Sequence, residues 1–299
     1  MSSRVLGIRR EDKNRWERRA PITPEDARQV VGSGFGLVVQ PSPIRVYPDA
    51  EWTAAGASVA EDLAACDVVL GVKEMPREIF REGGVFVFFA HVTKGQKYNM
   101  PMLRTVLARR ATLLDYEKIV DDRGRRLVFF GRHAGLAGAI DSLWALGRRF
   151  LAEGFDTPLA AIEPAHRYGD METATRALAG VATRIREVGL PKALSPLVVG
   201  ITGYGNVGGG AMEVLDALGA REVSVAGLPG LFEPGGAHAH TIYRVTFREE
   251  HTVEPVAAGA PFELKEFFEH PERYRGTFER HLPWLTGVVN CVYWDAKYP

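Results

Sequence analysis

The sequence predicts an α/β protein of two domains, each built on a largely parallel sheet. Three observations predict it. A chain of 299 residues with 46% apolar content is long enough to fill two cores of ordinary size. In the first half, short runs rich in Val, Leu and Phe alternate with amphipathic stretches, as strands buried on both faces alternate with the helices that cover them. In the second half a fresh apolar run opens directly into a glycine-rich turn and then into helical composition, so the pattern starts again.

Taken in order, the strands expected in the first half are Val5 to Arg9, Gly36 to Gln40, Asp67 to Lys73, Val85 to His91, Ala111 to Tyr116 and Arg126 to Phe130. A helix starts at Thr23-Pro24-Glu25-Asp26, where a threonine cap is followed by proline in the first turn and by acids near the positive end of the dipole. It runs to about Gly32. From Leu136 to Glu153 the apolar residues Leu136, Ile140, Leu143, Ala145 and Leu146 recur at helical spacing, which predicts a long helix joining the domains. A second helix, Met171 to Val188, stops at Gly189 with Pro191 beyond it. The strand Leu197 to Ile201 then opens the next α/β unit, and Pro229 to His240 reads as a loop.

Composition excludes several classes of function. Lys plus Arg and Asp plus Glu each total 37, so no net field favours a polyanion such as DNA or RNA. Cys66 and Cys291, far apart in the chain, make neither a disulfide framework nor a clustered zinc site, which fits a reducing, cytoplasmic compartment. The segment from Met1 to Arg10 lacks the apolar core of a secretory signal, and no run approaches the about 18 apolar residues that span a bilayer. Neither a helical His-Glu-x-x-His nor a Gly-x-Ser-x-Gly elbow occurs, so metal and serine hydrolysis have no support and no metal is expected.

Gly203-Tyr204-Gly205-Asn206-Val207-Gly208 stands between the strand ending at Ile201 and the helical stretch from Gly210. In that context the first glycine permits a tight turn, the second admits a pyrophosphate to the backbone, and the third allows close helix packing, while the helix N-terminus supplies amide donors. A dinucleotide such as NAD(P)H is the expected ligand. About 20 residues on, where an NAD site places an acid against the ribose, Val223-Ser224-Val225 reads as a strand that ends in Ala226-Gly227-Leu228. The missing acid favours NADP(H) and leaves NAD(H) open.

Ligands of open α/β sheets bind beyond the carboxyl ends of the strands. Three expected strands deliver polar groups there: Lys73-Glu74, then His91 with Lys94 just beyond, then Asp115-Tyr116-Glu117. If those strands are parallel neighbours, an amine, an imidazole and a carboxylate form an acid/base set. Each also has a plain reading, as a solvated cap, a surface ion pair or a packed histidine. Arg18 and Arg19, in the loop between the first strand and the first helix, are placed to take a substrate carboxylate; the plain reading is an exposed pair. Arg125-Arg126 after the turn Asp121-Asp122-Arg123-Gly124 reads as a hairpin flank as well as a strand start.

Leu6 to Asp12, Trp16 to Pro21, Gly71-Val72-Lys73, Phe89-Ala90-His91, Asp115-Tyr116-Glu117-Lys118, Gly135-Leu136-Ala137-Gly138 and His270-Pro271-Glu272-Arg273-Tyr274 run in order along the chain. Together they resemble lysine–ketoglutarate reductase, the saccharopine-forming N-terminal part of aminoadipic semialdehyde synthase. More distantly the chain is similar to saccharopine dehydrogenase and to the alanine dehydrogenase/transhydrogenase superfamily. The resemblance implies two Rossmann-like domains with the active site between them: residues 1–135 binding substrate, 136–195 as connecting helices, and 196–299 as part of an NAD(P)-binding domain. It implies that Lys73 and His91 carry the acid/base chemistry, that Arg19, with Arg18 or Lys94, holds substrate carboxylates, and that Glu74 and Glu117 tune the cations. The reaction implied is NADPH-dependent condensation of L-lysine with 2-oxoglutarate to saccharopine. Family members continue past the strand matching Thr286 to Val292, so the nucleotide sheet is expected to be incomplete at its carboxyl end.

Two other readings stay open: an NAD-dependent saccharopine or other amino-acid dehydrogenase, and a non-catalytic binding protein of the same fold. The expected partners are a small amino acid and a keto acid, with no nucleic acid and no membrane; assembly as a homo-oligomer is left open.

Overall fold

The computed structural model describes residues 4–293 and 295–299. Met1–Ser3, the start of the amino-terminal segment read above, and Trp294 lie outside the described residues. The chain forms two compact units, residues 1–129 and 130–299.

The first unit follows the order β1 (Val5–Ile8), α1 (Pro24–Gly32), β2 (Gly36–Val39), α2 (Asp49–Ala54), β3 (Ser58–Val59), β4 (Val68–Leu70), β5 (Val85–Phe88), α3 (Met100–Ala108) and β6 (Thr112–Asp115). Its six strands are all parallel, in the order β3-β2-β1-β4-β5-β6. This is a doubly wound sheet whose direction of growth reverses at β1. Ile8, Leu37, Val39 and Trp52 form one apolar cluster, and Val69, Phe80, Phe86, Phe88 and Met102 another. Helix α1 begins as its sequence predicts: the Thr23 hydroxyl accepts from the Asp26 amide at 3.2 Å while the Asp26 carboxylate accepts from the Thr23 amide at 2.8 Å. Such a reciprocal cap contributes about 1 kcal/mol.

The expected strand Arg126 to Phe130 is absent. Residue 126 makes only an isolated antiparallel bridge with Val120, closing a turn whose Asp121 carboxylate accepts from the amides of Arg123 and Arg125. The hairpin reading of Arg125-Arg126 is the correct one. An aspartate at that turn position satisfies local backbone donors that a sixth apolar run would have left to a sheet neighbour.

The second unit comprises α4 (Gly131–Ala152), α5 (Met171–Val188), β7 (Leu197–Thr202), α6 (Asn206–Ala217), β8 (Arg221–Glu222), β9 (Ile242–Phe247), α7 (Glu249–Thr252), β10 (Val253–Pro255), α8 (Leu264–Glu269), β11 (Tyr274–Gly276) and β12 (Gly287–Asn290). Helices α4 and α5, expected as a separate connecting segment from 136 to 195, share one buried cluster with the nucleotide-type sheet. Leu136, Ile140, Leu143, Leu178 and Ile185 pack with Leu197, Ile201 and Val214. The compact boundary therefore falls at 129/130. It does so because the apolar faces of both helices are spent on this core. Helix α5 is capped by the Asp170 carboxylate on the Thr173 amide at 2.7 Å and ends at Gly189, whose φ of +72° with ψ of 179° lies in a region open essentially to glycine alone.

All six residues of β7 are buried, and its sheet runs β12-β7-β9-β8 with every described pair parallel. On the side away from β12, the neighbour of β7 is thus β9, not the segment after α6. The expected strand Val223 to Val225 is overturned: β8 is two residues long, sits at the sheet edge, and gives way to a short 3-10 turn at Val225–Gly227. Chain order and spatial order part company here, and β9 occupies the position beside the glycine turn.

Strands β10 and β11 pair antiparallel as a separate ribbon. The Glu254 carboxylate on β10 accepts from Arg275 at 2.7 Å and from Arg280 at 2.7 and 3.0 Å. These hydrogen bonds, first Arg280 and then Arg275, push its pKa down to about 2 from 4.5. A lowered carboxylate pKa adds stability that is present above 4.5 and fades as pH falls toward 2. Glu254→Gln should therefore lower urea resistance at pH 6, with the gap to wild type closing between pH 4.5 and 2.5. A gap independent of pH would contradict the ion-pair account.

Candidate functional site

In the first unit the loops leaving β1 and β4 diverge, because the strands on either side of β1 connect in opposite directions. Glu11, three residues beyond β1, is buried and spans this point. Its carboxylate accepts from the amides of Val72 at 2.6 Å and Lys73 at 3.0 Å. Burial raises the Glu11 pKa above its ordinary value against the pull of those two donors and of Arg9. The consequence is structural: the backbone carrying Lys73 is clamped to the end of the neighbouring strand.

Lys73 faces a second acid. Glu17 is buried and holds Arg19 bidentately, with Nε at 2.7 Å and a terminal nitrogen at 2.6 Å. Burial lifts the Glu17 carboxyl, but the Arg19 hydrogen bonds and charge, helped by Lys73, outweigh it and hold the group below the usual range. Arg19 is correspondingly raised, chiefly by its hydrogen bond to Glu17. The expected substrate-binding arginine is thus fixed in direction by an acid that sequence reading passed over. Arg18 turns elsewhere: its Nε donates to the Ile44 carbonyl at 3.0 Å, and its own carbonyl accepts from Val46.

Beyond β4 and β5, Glu74 and His91 are tied together through Asn99. The buried Asn99 amide donates to Glu74 at 3.2 Å, to the Ala90 carbonyl at 2.9 Å and to the His91 carbonyl at 3.3 Å. Glu74 also takes Lys13 Nζ at 2.6 Å. Burial pushes its pKa up, yet the bonds from Lys13 and Asn99 leave it below the ordinary value. His91 has φ of +48°, a left-handed conformation held by the surrounding bonds and concentrated in proteins at working sites. Its Nδ1 lies 3.5 Å from a Glu117 oxygen, which Arg126 approaches to 3.6 Å. Asp115, at the end of β6, accepts from the Glu117 amide at 3.0 Å and from the Ala90 amide at 3.4 Å, bracing both residues. Next to it, burial and the Glu11 charge push the Tyr116 hydroxyl up to about 12, so it remains a neutral donor at physiological pH. Lys94 is exposed.

Lys73, Glu74, His91, Glu117 and Arg19 are therefore gathered around the carboxyl ends of β1, β4, β5 and β6, whereas the described bonds of Arg18 lead to the Ile44 loop. Glu11, Glu17 and Asn99 were missed. Glu11 had a signal, since it follows β1 just as Lys73 follows β4; Asn99 had none, because its role arises only from tertiary contact.

In the second unit each glycine of the motif is used differently. Gly203 has φ of +91°, which permits the turn. A Cβ on Gly205 would meet nothing within 4 Å, leaving the approach to the backbone open. A Cβ on Gly208 would lie 2.2 Å from the Gly203 carbonyl oxygen, so only glycine lets α6 start this close to β7. Gly205 offers no side-chain cap, so the first amides of α6, from Asn206 and Val207, are left for an anion. Gly203, Tyr204, Gly205, Glu249, Asn290 and Cys291 belong to the wall of a cavity of about 850 Å³. A glycine cradle with unspent amides at its rim fits a dinucleotide pyrophosphate. The Tyr204 hydroxyl donates to Glu249 at 3.2 Å, and the Arg248 guanidinium lies 4.7 Å from the centre of the Tyr204 ring.

Comparison with known proteins agrees with this architecture. Residues 7–137 match the family described as alanine dehydrogenase/PNT, N-terminal domain. The chain is 36% identical to an alpha-aminoadipic semialdehyde synthase of Arabidopsis thaliana over 311 aligned positions, covering 99% of this chain and 29% of that protein. It is 37% identical to a saccharopine dehydrogenase [NAD(+), L-lysine-forming] of Yarrowia lipolytica over 139 positions, 45% of this chain and 37% of that one. A solved L-alanine dehydrogenase shares the fold at a TM-score of 0.52 and 17% identity, covering 82% of this chain and 61% of its own. The chain thus spans less than a third of the Arabidopsis relative. This α/β chain is a homologue of the alpha-aminoadipic semialdehyde synthases and saccharopine dehydrogenases, with residues 7–137 similar to the alanine dehydrogenase/PNT N-terminal domain.

Proposed function

We propose that the chain is the reductase of an NADP(H)-dependent condensation of L-lysine with 2-oxoglutarate that yields saccharopine. The observation that carries the reading is the convergence of Lys73, His91, Glu117 and Arg19 at neighbouring parallel strand ends, in a chain that aligns along nearly its whole length with an alpha-aminoadipic semialdehyde synthase.

In this reading Arg19, oriented by Glu17, takes a carboxylate of the keto acid. The ε-amine of lysine adds to the keto carbon, Lys73 and His91 exchange the protons that let water leave, and a carbon–nitrogen double bond results. Glu117 beside Nδ1 holds the imidazole so that Nε2 is the nitrogen presented for proton exchange. The clamps on the backbone of Lys73 by Glu11 and of His91 by Asn99 keep both groups in register through successive transfers. NADPH, when bound on Gly203, Gly205 and the first amides of α6, supplies the hydride that reduces the double bond.

The test is to incubate the purified chain with lysine, 2-oxoglutarate and NADPH, follow nicotinamide absorbance, and identify the product by mass. Nicotinamide oxidation that requires both substrates, with saccharopine as product, is expected. A much higher kcat/KM with NADH would instead favour the NAD-dependent dehydrogenase reading. Absence of turnover with either nucleotide would leave a binding protein of the same fold.

A further inference from the structure

We infer that Arg248 is the residue that reads the 2′-phosphate of the dinucleotide. The inference rests on the NADP(H) reading above and assigns it a side chain. In a doubly wound nucleotide fold the ribose is read at the carboxyl end of the strand lying beside the one that precedes the glycine turn. Here β7 has two parallel neighbours, β12 and β9, and the one on the side the chain enters directly after α6 is β9, paired with β7 from Leu197↔Ile242 to Thr202↔Phe247. The first residue past its carboxyl end is Arg248, 45 positions after Gly203 and not the 20 or so that the usual chain order gives.

The geometry around Arg248 suits a phosphate. It is exposed, and its guanidinium lies over the ring of Tyr204, a residue of the glycine turn itself. Stacking on an aromatic face orients the planar fork without consuming its hydrogen-bond donors. The adjacent acid, Glu249, accepts the Tyr204 hydroxyl at 3.2 Å. That bond draws the carboxylate toward the tyrosine hydroxyl, and the Glu249 charge in turn raises the Tyr204 pKa. A cation and an acid thus flank one ring, and the acid has a partner of its own.

The experiment is calorimetric titration of the full chain with 2′,5′-ADP and with 5′-AMP, which differ only in the group in question. Wild type should bind 2′,5′-ADP the more tightly. Arg248→Ala should weaken 2′,5′-ADP about 10- to 100-fold and leave 5′-AMP within twofold, while Arg248→Lys recovers part of the loss. Discrimination that survives in Arg248→Ala would overturn the assignment and leave the NADP(H) reading standing. A loss shared equally by both ligands would also overturn it, since Arg248 would then be supporting the site as a whole. Equal affinity of the wild type for the two, or none for either, would end the NADP(H) reading and the assignment together. Glu249→Gln is the companion variant: if it weakens 5′-AMP while Arg248→Ala leaves 2′,5′-ADP unchanged, the site reads an unphosphorylated ribose and the assignment is wrong.

Discussion

Lys73→Met should lower kcat for the lysine and 2-oxoglutarate condensation by about 10²- to 10⁴-fold, the range that positioned acid/base groups supply. The fold should survive. The clamp from Glu11 reaches the main-chain amide of Lys73, so methionine keeps it while removing the amine. His91 is the parallel case but needs a different replacement. Its φ of +48° is tolerated by asparagine better than by most side chains, so His91→Asn removes the imidazole at little backbone cost. Both variants should unfold within a few degrees of wild type by circular dichroism, and both should fail in steady-state turnover. Near-normal turnover in either would remove that residue from the proposed chemistry. The pH dependence adds a check: Glu17 and Glu74 sit below their ordinary carboxylate values, so their anions persist as pH falls to 4.5 and the site's ion pairs should fail only below it.

Much of this site was legible because a buried parallel sheet writes itself plainly. The strands β1, β2, β4, β5 and β7 are short runs of Val, Leu, Ile and Phe, and whatever polar residue follows them must stand at a carboxyl end. Lys73 and His91 were placed at strand ends that way, and Glu117 by the same rule beyond β6. The same rule applied to β1 would have reached Glu11, but a glutamate inside the charged stretch Arg9-Arg10-Glu11-Asp12 looks solvated until its two amide partners are seen. The failure in the second unit has another cause. Ile242–Phe247 is interrupted by Arg244 and Thr246, follows a long Gly, Pro and His segment, and gives no hint that it inserts beside β7 ahead of β8. Local pattern identifies a strand; only pairing says which neighbour it has, and the ribose-reading residue depends on the neighbour.

A single methyl group at Gly135 should destabilise the second unit and disturb its glycine turn together. Helices α4 and α6 approach through two glycines. A Cβ on Gly135 would lie 1.9 Å from the Val207 carbonyl oxygen, and one on Gly210 would lie 2.1 Å from the Arg132 carbonyl oxygen. Both obstacles are backbone, which cannot rotate away as a side-chain tip can. Relief requires the helices to separate, and Val207 sits in the first turn of α6, whose amides are the ones proposed to take the pyrophosphate. Gly135→Ala should therefore cost about 1–3 kcal/mol or more through overpacking, opposed by the smaller gain in helix propensity. Nucleotide affinity should fall with it. Gly138→Ala is the control on the same helix: nothing lies within 4 Å of the added carbon, so propensity alone acts and stability should rise by up to about 1 kcal/mol. Thermal unfolding of the pair, with 5′-AMP titrated against each, separates the two effects. If Gly135→Ala matched Gly138→Ala in both measurements, the close crossing of α4 and α6 could not be what holds the phosphate-binding turn in place.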